Sequence, residues 1–178
     1  WEDSKRYFFA DFPCSSNKYA SVQQITAAFK YLQEEQYPNY VEMYTDGSLW
    51  TEPEISVSAA FVLYENYNYQ SFNWKLGESC SIFVAELFAI LQSLIYAKKN
   101  INSCNGLVIF TDSLSSVMAL KNPQHNHHLS LTYQILQLVH ELSCMYSVCV
   151  QYIPAHSNIE GNERADLAAK AGHIKNKT

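Results

Sequence analysis

Basic residues are scarce in this chain. The 178 residues include 12 lysines and arginines against 17 aspartates and glutamates, so the formal net charge is −5. Proteins that capture nucleic acid by electrostatics alone draw on clusters of lysine and arginine. Any contact with nucleic acid must therefore rest on something other than a basic surface, such as metal ions or a tethering neighbour.

The chain also lacks a membrane span and a cysteine framework. The most apolar run, residues 81–97, carries Glu86 and is shorter than the roughly 20 residues that span a bilayer, so a buried helix explains it better. The five cysteines form no C-x-x-C pair, which favours free thiols and an intracellular location. The chain begins at Trp1 with no methionine and no signal sequence, and we therefore expect a fragment of a longer polypeptide.

The first part of the chain differs in pattern from the rest. Residues 1–39 show no sustained periodicity and are interpreted as a linker or connection segment with one short helix, capped at Ser21. From residue 40 the runs "YVEMYTD", "SVSAAFVLYEN" and "YQSFNWKLG" follow one another. Their β-branched, aromatic and alternating residues predict three consecutive antiparallel strands.

The period then becomes helical from Ser81 to about Asn100. The run "GLVIFTDS" predicts a central strand buried on both faces. Two helices, a strand "YSVCVQYIPA" and a last helix ending at Gly172 follow. The predicted order β-β-β-α-β-α-α-β-α indicates an α/β fold, a mixed sheet with helices on its faces over residues 40–174, with residues 175–178 as a tail.

Two aspartates share a local context. Asp46 in "YTDGS" and Asp112 in "FTDSL" each follow an apolar strand. If the two strands are neighbours, the carboxylates stand side by side and repel each other unless a cation lies between them. Each aspartate taken alone is more often a turn or cap residue.

Two further acids lie on helical faces that otherwise read as apolar. Glu86 is flanked by apolar residues, and Asp166 lies in "GNERADLAAK" among alanines and a leucine. Each acid could simply stabilise its helix through the helix dipole. An unpaired carboxylate that is buried, however, destabilises the folded state. One site explains all four acids, because Mg²⁺ prefers carboxylate oxygens and two such ions can clamp a phosphoryl transfer. No cysteine and histidine spacing typical of zinc competes with this interpretation.

The blocks "YTDGS", "SIFVAELFAI", "VIFTDS" and "YIPAHSNIEGNERADLAAKAG" resemble the ribonuclease H family, in the same order, over about residues 40–172. The last two are most similar to the domain of non-LTR retrotransposon polyproteins. The resemblance implies a five-stranded mixed sheet with its first three strands antiparallel. It implies hydrolysis of the RNA strand of RNA/DNA hybrids with two Mg²⁺ ions, which Mn²⁺ can replace.

The resemblance also assigns roles by position. It makes Asp46, Glu86, Asp112 and Asp166 the metal-binding acids, and it matches His156 to a loop histidine that assists proton transfer or product release. The substrate-binding positions it implies are Gly47, Ser48, Ser113, Asn162 and Glu163.

Two family features are missing. The loop after "TDGS" reads "LWTEPEIS" and has no Gly/Asn-rich stretch, and no basic helix lies between the helices that begin near Ser113 and Leu129. We expect weak hybrid binding by the isolated domain, with a preceding reverse transcriptase or other polyprotein domain supplying affinity by tethering. The alternative is a catalytically weak or inactive module with a structural or partner-binding role. Another nuclease or integrase of the same fold is disfavoured by the "GNERAD" block.

Overall fold

A six-stranded mixed sheet forms the centre of the structure, a computed structural model that describes residues 7–13, 20–125 and 128–174. The strands are β1 (Tyr7–Ala10), β2 (Val41–Trp50), β3 (Ser56–Glu65), β4 (Asn68–Leu76), β5 (Gly106–Thr111) and β6 (Ser147–Tyr152). Their order across the sheet is β1-β6-β5-β2-β3-β4. Strands β2, β3 and β4 pair antiparallel, whereas β5 pairs parallel with β2 and β6. The three antiparallel strands and the mixed sheet are confirmed.

The strand count of five was wrong, because β1 adds a sixth strand. Tyr7–Ala10 pairs parallel with the outer edge of β6, with Tyr7 opposite Val148. A four-residue strand is too short to show alternation, so nothing in its own sequence distinguishes it from a loop. The free edge of β6, far along the chain, makes this segment a strand.

Helices cover both faces of the sheet. They are α1 (Val22–Tyr31), α2 (Ile82–Asn100), α3 (Leu114–Lys121), α4 (Leu129–Ser143) and α5 (Glu160–Gly172), with a π-helical turn Leu32–Gln36 after α1 and a 3₁₀ turn Pro123–His125 after α3. Ser21 caps α1, since its hydroxyl accepts from the Gln24 amide while the Gln24 side chain accepts from the Ser21 amide. Of the helices in the described ranges, none has the length and apolar character needed to cross a membrane.

Two hydrophobic layers hold the sheet. Residues of α2, α3 and α4 pack against one face with Met43, Ile109 and Val150. On the other face, α5 and the segment before β2 pack against Tyr44 and Phe110. Alternation along each strand divides the side chains in this way, because successive residues point to opposite faces.

The segment before residue 40 contributes to the second layer. Its buried side chains are Phe12, Phe29, Leu32 and Tyr37. The Tyr37 hydroxyl donates to Gln151 Oε1 over 2.6 Å, and Lys121 forms an ion pair with Asp11. The domain boundary at residue 40 stays a prediction, and the predicted tail, residues 175–178, lies outside the described residues.

Candidate active site

The register of β2 and β5 brings two carboxylates together. Thr45 lies opposite Thr111 in the parallel pair, so Asp46 and Asp112 follow at the same edge. Asp46 was expected at the end of its strand, but β2 continues to Trp50 because it still pairs with β3 as far as Ser56. Asp46 therefore lies inside a strand on one side and just past the end of β5 on the other.

A glycine lets the third carboxylate approach. A Cβ atom on Gly47 would lie 3.0 Å from the Ala85 Cβ and 3.1 Å from the Glu86 amide nitrogen. The missing side chain allows the first turns of α2 to lie directly on β2. Glu86 is 8% exposed, and its Oε2 atom has no hydrogen-bond partner within the part of the chain that the structure describes.

Asp46, Glu86 and Asp112 form one cluster, with one oxygen from each lying within 4.8 Å of the others. Burial and then the neighbouring carboxylates raise the Asp46 pKa to about 8, and the same causes raise the Glu86 pKa well above its ordinary value. Burial raises the Asp112 pKa as well, against the opposing effect of the Asn162 hydrogen bond. Three crowded carboxylates, one with an unpartnered oxygen, fit a hard divalent cation, which prefers oxygen ligands.

The N-terminal half of α5 closes the site. Asp46, Asp112, His156, Asn162, Glu163, Asp166 and Gly47 line a cavity of about 180 Å³. The Asn162 amide donates to Asp112 Oδ2 over 3.0 Å, while its own carbonyl oxygen is buried without a partner among the described residues. The approach of α5 depends on Gly161, where a Cβ would lie 2.3 Å from the Tyr44 ring.

Asp166 lines the cavity but is engaged elsewhere. Its Oδ2 accepts from Lys170 Nζ over 2.6 Å, and it lies outside the three-carboxylate cluster. Its charge still contributes to the raised Asp46 pKa. The Lys170 contact was not predicted, although the spacing of four residues on one helix was a visible signal.

The remaining predicted residues take different positions. His156 is exposed at the rim of the cavity, in a left-handed conformation with φ of 51°. Ser113 caps α3 by accepting from the Ser116 amide. Ser48 turns away from the cavity, because its hydroxyl lies 2.9 Å from His173 Nε2 beneath the end of α5. His173 was missed, since nothing in its local sequence marks it as buried.

Because of the three-carboxylate cluster, we expect the free energy of unfolding of the metal-free protein to fall as the pH rises. The Asp46 pKa moves from 3.8 to about 8, so the folded state keeps a proton that the unfolded state has released. The contribution of this proton to the free energy of unfolding is therefore fully present below about pH 4, and it is lost as the pH rises to about 8. At about 1.4 kcal/mol per pKa unit, the loss is at most about 6 kcal/mol. Thermal melting in a chelator should show this slope.

A substitution isolates the contribution of the cluster. Asp46→Asn should flatten the slope, whereas Asp11→Asn, the same change at an exposed ion pair, should keep it. Parallel slopes for the wild type and Asp46→Asn would contradict the prediction.

Comparison with known proteins decides the family. No curated protein sequence gives a significant match. The family model described as RNase H matches residues 38–174. The chain belongs to the ribonuclease H family. The family-level resemblance is thereby confirmed, whereas the retrotransposon subtype stays a prediction.

Solved ribonuclease H structures share the fold. RNase H1 from the archaeon Halobacterium salinarum is 19% identical, with a TM-score of 0.57 over 75% of this chain and 96% of that one. The PFV RNase H domain is 23% identical, with a TM-score of 0.59 over 76% of this chain and 94% of that domain. The foamy viral protease-reverse transcriptase in complex with an RNA/DNA hybrid is 17% identical, with a TM-score of 0.63 over 91% of this chain and 27% of that one. These similarities show the fold of this ribonuclease H.

Proposed function

We propose that this ribonuclease H is an endonuclease that hydrolyses the RNA strand of RNA/DNA hybrids with two Mg²⁺ ions, which Mn²⁺ can replace. The cluster of Asp46, Glu86 and Asp112, with oxygens within 4.8 Å, carries the proposal. Such a cluster is unfavourable without a cation, and two of its members, Asp46 and Asp112, line the cavity at the end of β5, which a phosphate would enter.

Four acids would hold the metal ions, with Asp166 joining the three clustered carboxylates. When bound, the ions supply an activated water and stabilise the leaving 3′ oxygen, which yields 5′-phosphate and 3′-hydroxyl ends. The Asn162 amide holds the Asp112 carboxylate in position by its hydrogen bond. The Lys170 ammonium contacts Asp166 Oδ2, so a cation held by that oxygen would compete with it. His156 stands at the rim, where its imidazole can exchange a proton with the departing product.

Few residues are proposed to bind the hybrid. Gly47, Ser48, Ser113, Asn162 and Glu163 remain the proposed substrate-binding positions. Ser48 can contribute its backbone, since its hydroxyl faces His173. Discrimination between RNA and DNA would come from contacts with the 2′-hydroxyl and from hybrid shape.

The scarcity of free basic side chains supports an enzyme that is tethered to its substrate by a neighbouring domain. Five basic side chains are engaged in ion pairs with acids: Lys30, Lys98, Lys121, Arg164 and Lys170. Of the basic residues in the described ranges, this leaves only Lys75 and Lys99 outside an ion pair, and the net charge of the chain is −5, so the isolated domain should bind hybrids weakly. We propose that a reverse transcriptase of a non-LTR retrotransposon precedes it in an intracellular polyprotein and raises the local substrate concentration. The overlap of 91% of this chain with the foamy viral structure supports that arrangement.

The alternative is a catalytically weak or inactive module with a structural or partner-binding role. The Lys170–Asp166 contact and the net charge favour it. Calorimetric titration with Mg²⁺ or Mn²⁺ separates the two, because a scaffold should show no binding that depends on the four acids.

A cleavage assay tests the proposal. The protein is incubated with a labelled RNA/DNA hybrid, an RNA duplex and a DNA duplex, each with Mg²⁺, Mn²⁺ or a chelator. We expect cleavage of the RNA strand of the hybrid alone, abolished by the chelator. Equal cleavage of all three duplexes, or none of the hybrid at high protein concentration, would reject the proposed activity.

A further inference from the structure

A second cavity, of about 380 Å³, lies at the start of β2, away from the acid cluster in the middle of that strand. The start of β2, the segment after the π-helical turn and the turn between β3 and β4 form its walls. Its lining residues are Gln33, Tyr37, Asn39, Tyr40, Val41, Glu42, Tyr64, Glu65, Asn66 and Tyr67. At about 3.3 Å per strand residue, Glu42 lies roughly 13 Å along β2 from Asp46, so the cavity is separate from the proposed catalytic site.

Tyrosine rings dominate the walls. The rings of Tyr37 and Tyr40 lie 5.5 Å apart between centroids, and Tyr64 packs on Tyr69 with centroids 4.6 Å apart. The Arg164 guanidinium already lies 4.3 Å from the centroid of the Tyr69 ring. Aromatic faces attract organic cations electrostatically. One ring of the second pair thus already binds a guanidinium of the chain itself, and its neighbour Tyr64 lines the cavity.

A buried carboxylate faces these rings. Glu42 is 8% exposed and accepts from Gln33 Nε2 over 2.9 and 3.0 Å and from the Tyr44 hydroxyl over 2.6 Å. No lysine, arginine or histidine in the described ranges forms an ion pair with it. Burial raises the Glu42 pKa. A cation in the cavity would supply the missing counter-charge, since buried charges are ordinarily paired.

The lip of the cavity carries a tyrosine in a strained conformation. Tyr67 has φ of 61° and follows Asn66 with φ of 51°. The left-handed region costs a side-chain-bearing residue roughly 1–2 kcal/mol, and glycine is the residue that turns of this kind prefer. Tyr67 is 97% exposed, so its ring contributes nothing to the core. Its position beside the cavity gives the ring a use in covering a ligand.

We propose that this cavity binds the guanidinium or alkylammonium group of an arginine or lysine side chain presented by a polypeptide partner. The carboxylate of Glu42 pairs with the charge, and the tyrosine faces cover the alkyl stem. Arginine suits the site best, because its planar group stacks on rings and donates in a fork to a carboxylate.

A titration of the full chain with N-acetyl-arginine amide, followed by NMR, tests the proposal. We expect saturable shifts of the backbone amides of Asn66 and Tyr67 and of the Gln33 side-chain amide. N-acetyl-citrulline amide, a neutral analogue of the same shape, should bind at least tenfold more weakly. Tetramethylammonium serves as a small free cation, and binding of it in preference to the arginine amide would reject the side-chain assignment.

Two variants separate binding from folding. Glu42→Gln keeps an acceptor for Gln33 and Tyr44 while it removes the charge, and it should weaken binding at least tenfold. Tyr67→Gly should leave the melting temperature unchanged or raise it, leave hybrid cleavage unchanged, and weaken binding several-fold. Tyr133→Ala, at an exposed tyrosine on α4, should change none of these. Equal binding of the arginine and citrulline amides, no saturation at concentrations on the order of 50 mM, or wild-type binding by both cavity variants would overturn the proposal.

Discussion

Asp112→Asn is expected to lower hybrid cleavage roughly 1,000-fold while the fold is retained. A metal ion stabilises transition-state charge by several kcal/mol, and each 1.36 kcal/mol is a factor of ten in rate. Asparagine removes one charged ligand from the cluster of Asp46, Glu86 and Asp112. Its side-chain oxygen can still accept from Asn162, which now contacts Asp112 Oδ2. The measurement is single-turnover cleavage of a labelled hybrid in Mg²⁺, beside a thermal melt.

The thermal melt of the Asp112→Asn variant separates lost metal binding from lost folding. Removal of one of several crowded carboxylates relieves like-charge repulsion, so the metal-free variant should melt at the wild-type temperature or higher. Asp11→Asn makes the same chemical change in an exposed ion pair with Lys121 and should leave cleavage unchanged. Full activity of Asp112→Asn in Mg²⁺ would rule out the proposed metal site, and lost activity with a lowered melting temperature would assign Asp112 to folding instead.

Deletion of residues 1–37 should abolish cooperative folding. The deletion removes β1 from the edge of β6 and takes Phe12, Phe29, Leu32 and Tyr37 out of the core. Burial of each such side chain contributes about 1.5–3 kcal/mol, so the four together approach the whole stability of an ordinary domain, about 5–15 kcal/mol. Circular dichroism melting and gel filtration of residues 38–178 against the full chain provide the test.

This experiment also decides the predicted domain boundary. If residues 1–39 are a linker, the fragment should melt cooperatively within a few degrees of the full chain, and our expectation fails. Deletion of residues 175–178 is the control, with no expected change. Exposure of Tyr44 and Phe110, which the segment covers, should instead make the shorter fragment aggregate.

Local pattern marked the individual acids of the cluster, while the pairing of the strands brought them together. Asp46 and Asp112 end similar apolar runs, and the parallel pairing of Thr45 with Thr111 places both at the same level of the sheet. Glu86 was marked by its apolar flanks, which made a solvent-facing role unfavourable. These signals depend on residues that are close in sequence, so the sequence could mark each acid as a candidate, but not their distances from one another.

Contacts between distant segments escaped prediction. Strand β1 exists because β6, about 140 residues later, leaves an edge to pair with. Ser48 follows Asp46 by two residues and points to the same face of β2, but the end of α5 covers that point and presents His173. The path of α5 over β2 follows from the close approach at Gly161, which no local pattern reveals.

The sequence by itself determined the order of the elements, the mixed sheet with three antiparallel strands, and the acids at its centre, because apolar periodicity and strand ends are local properties. Tertiary structure alone decided the sixth strand, the burial of Ser48 against His173, and the tyrosine-walled cavity around Glu42. Each of these depends on which surfaces meet after folding, and that is set by the packing of whole helices and strands.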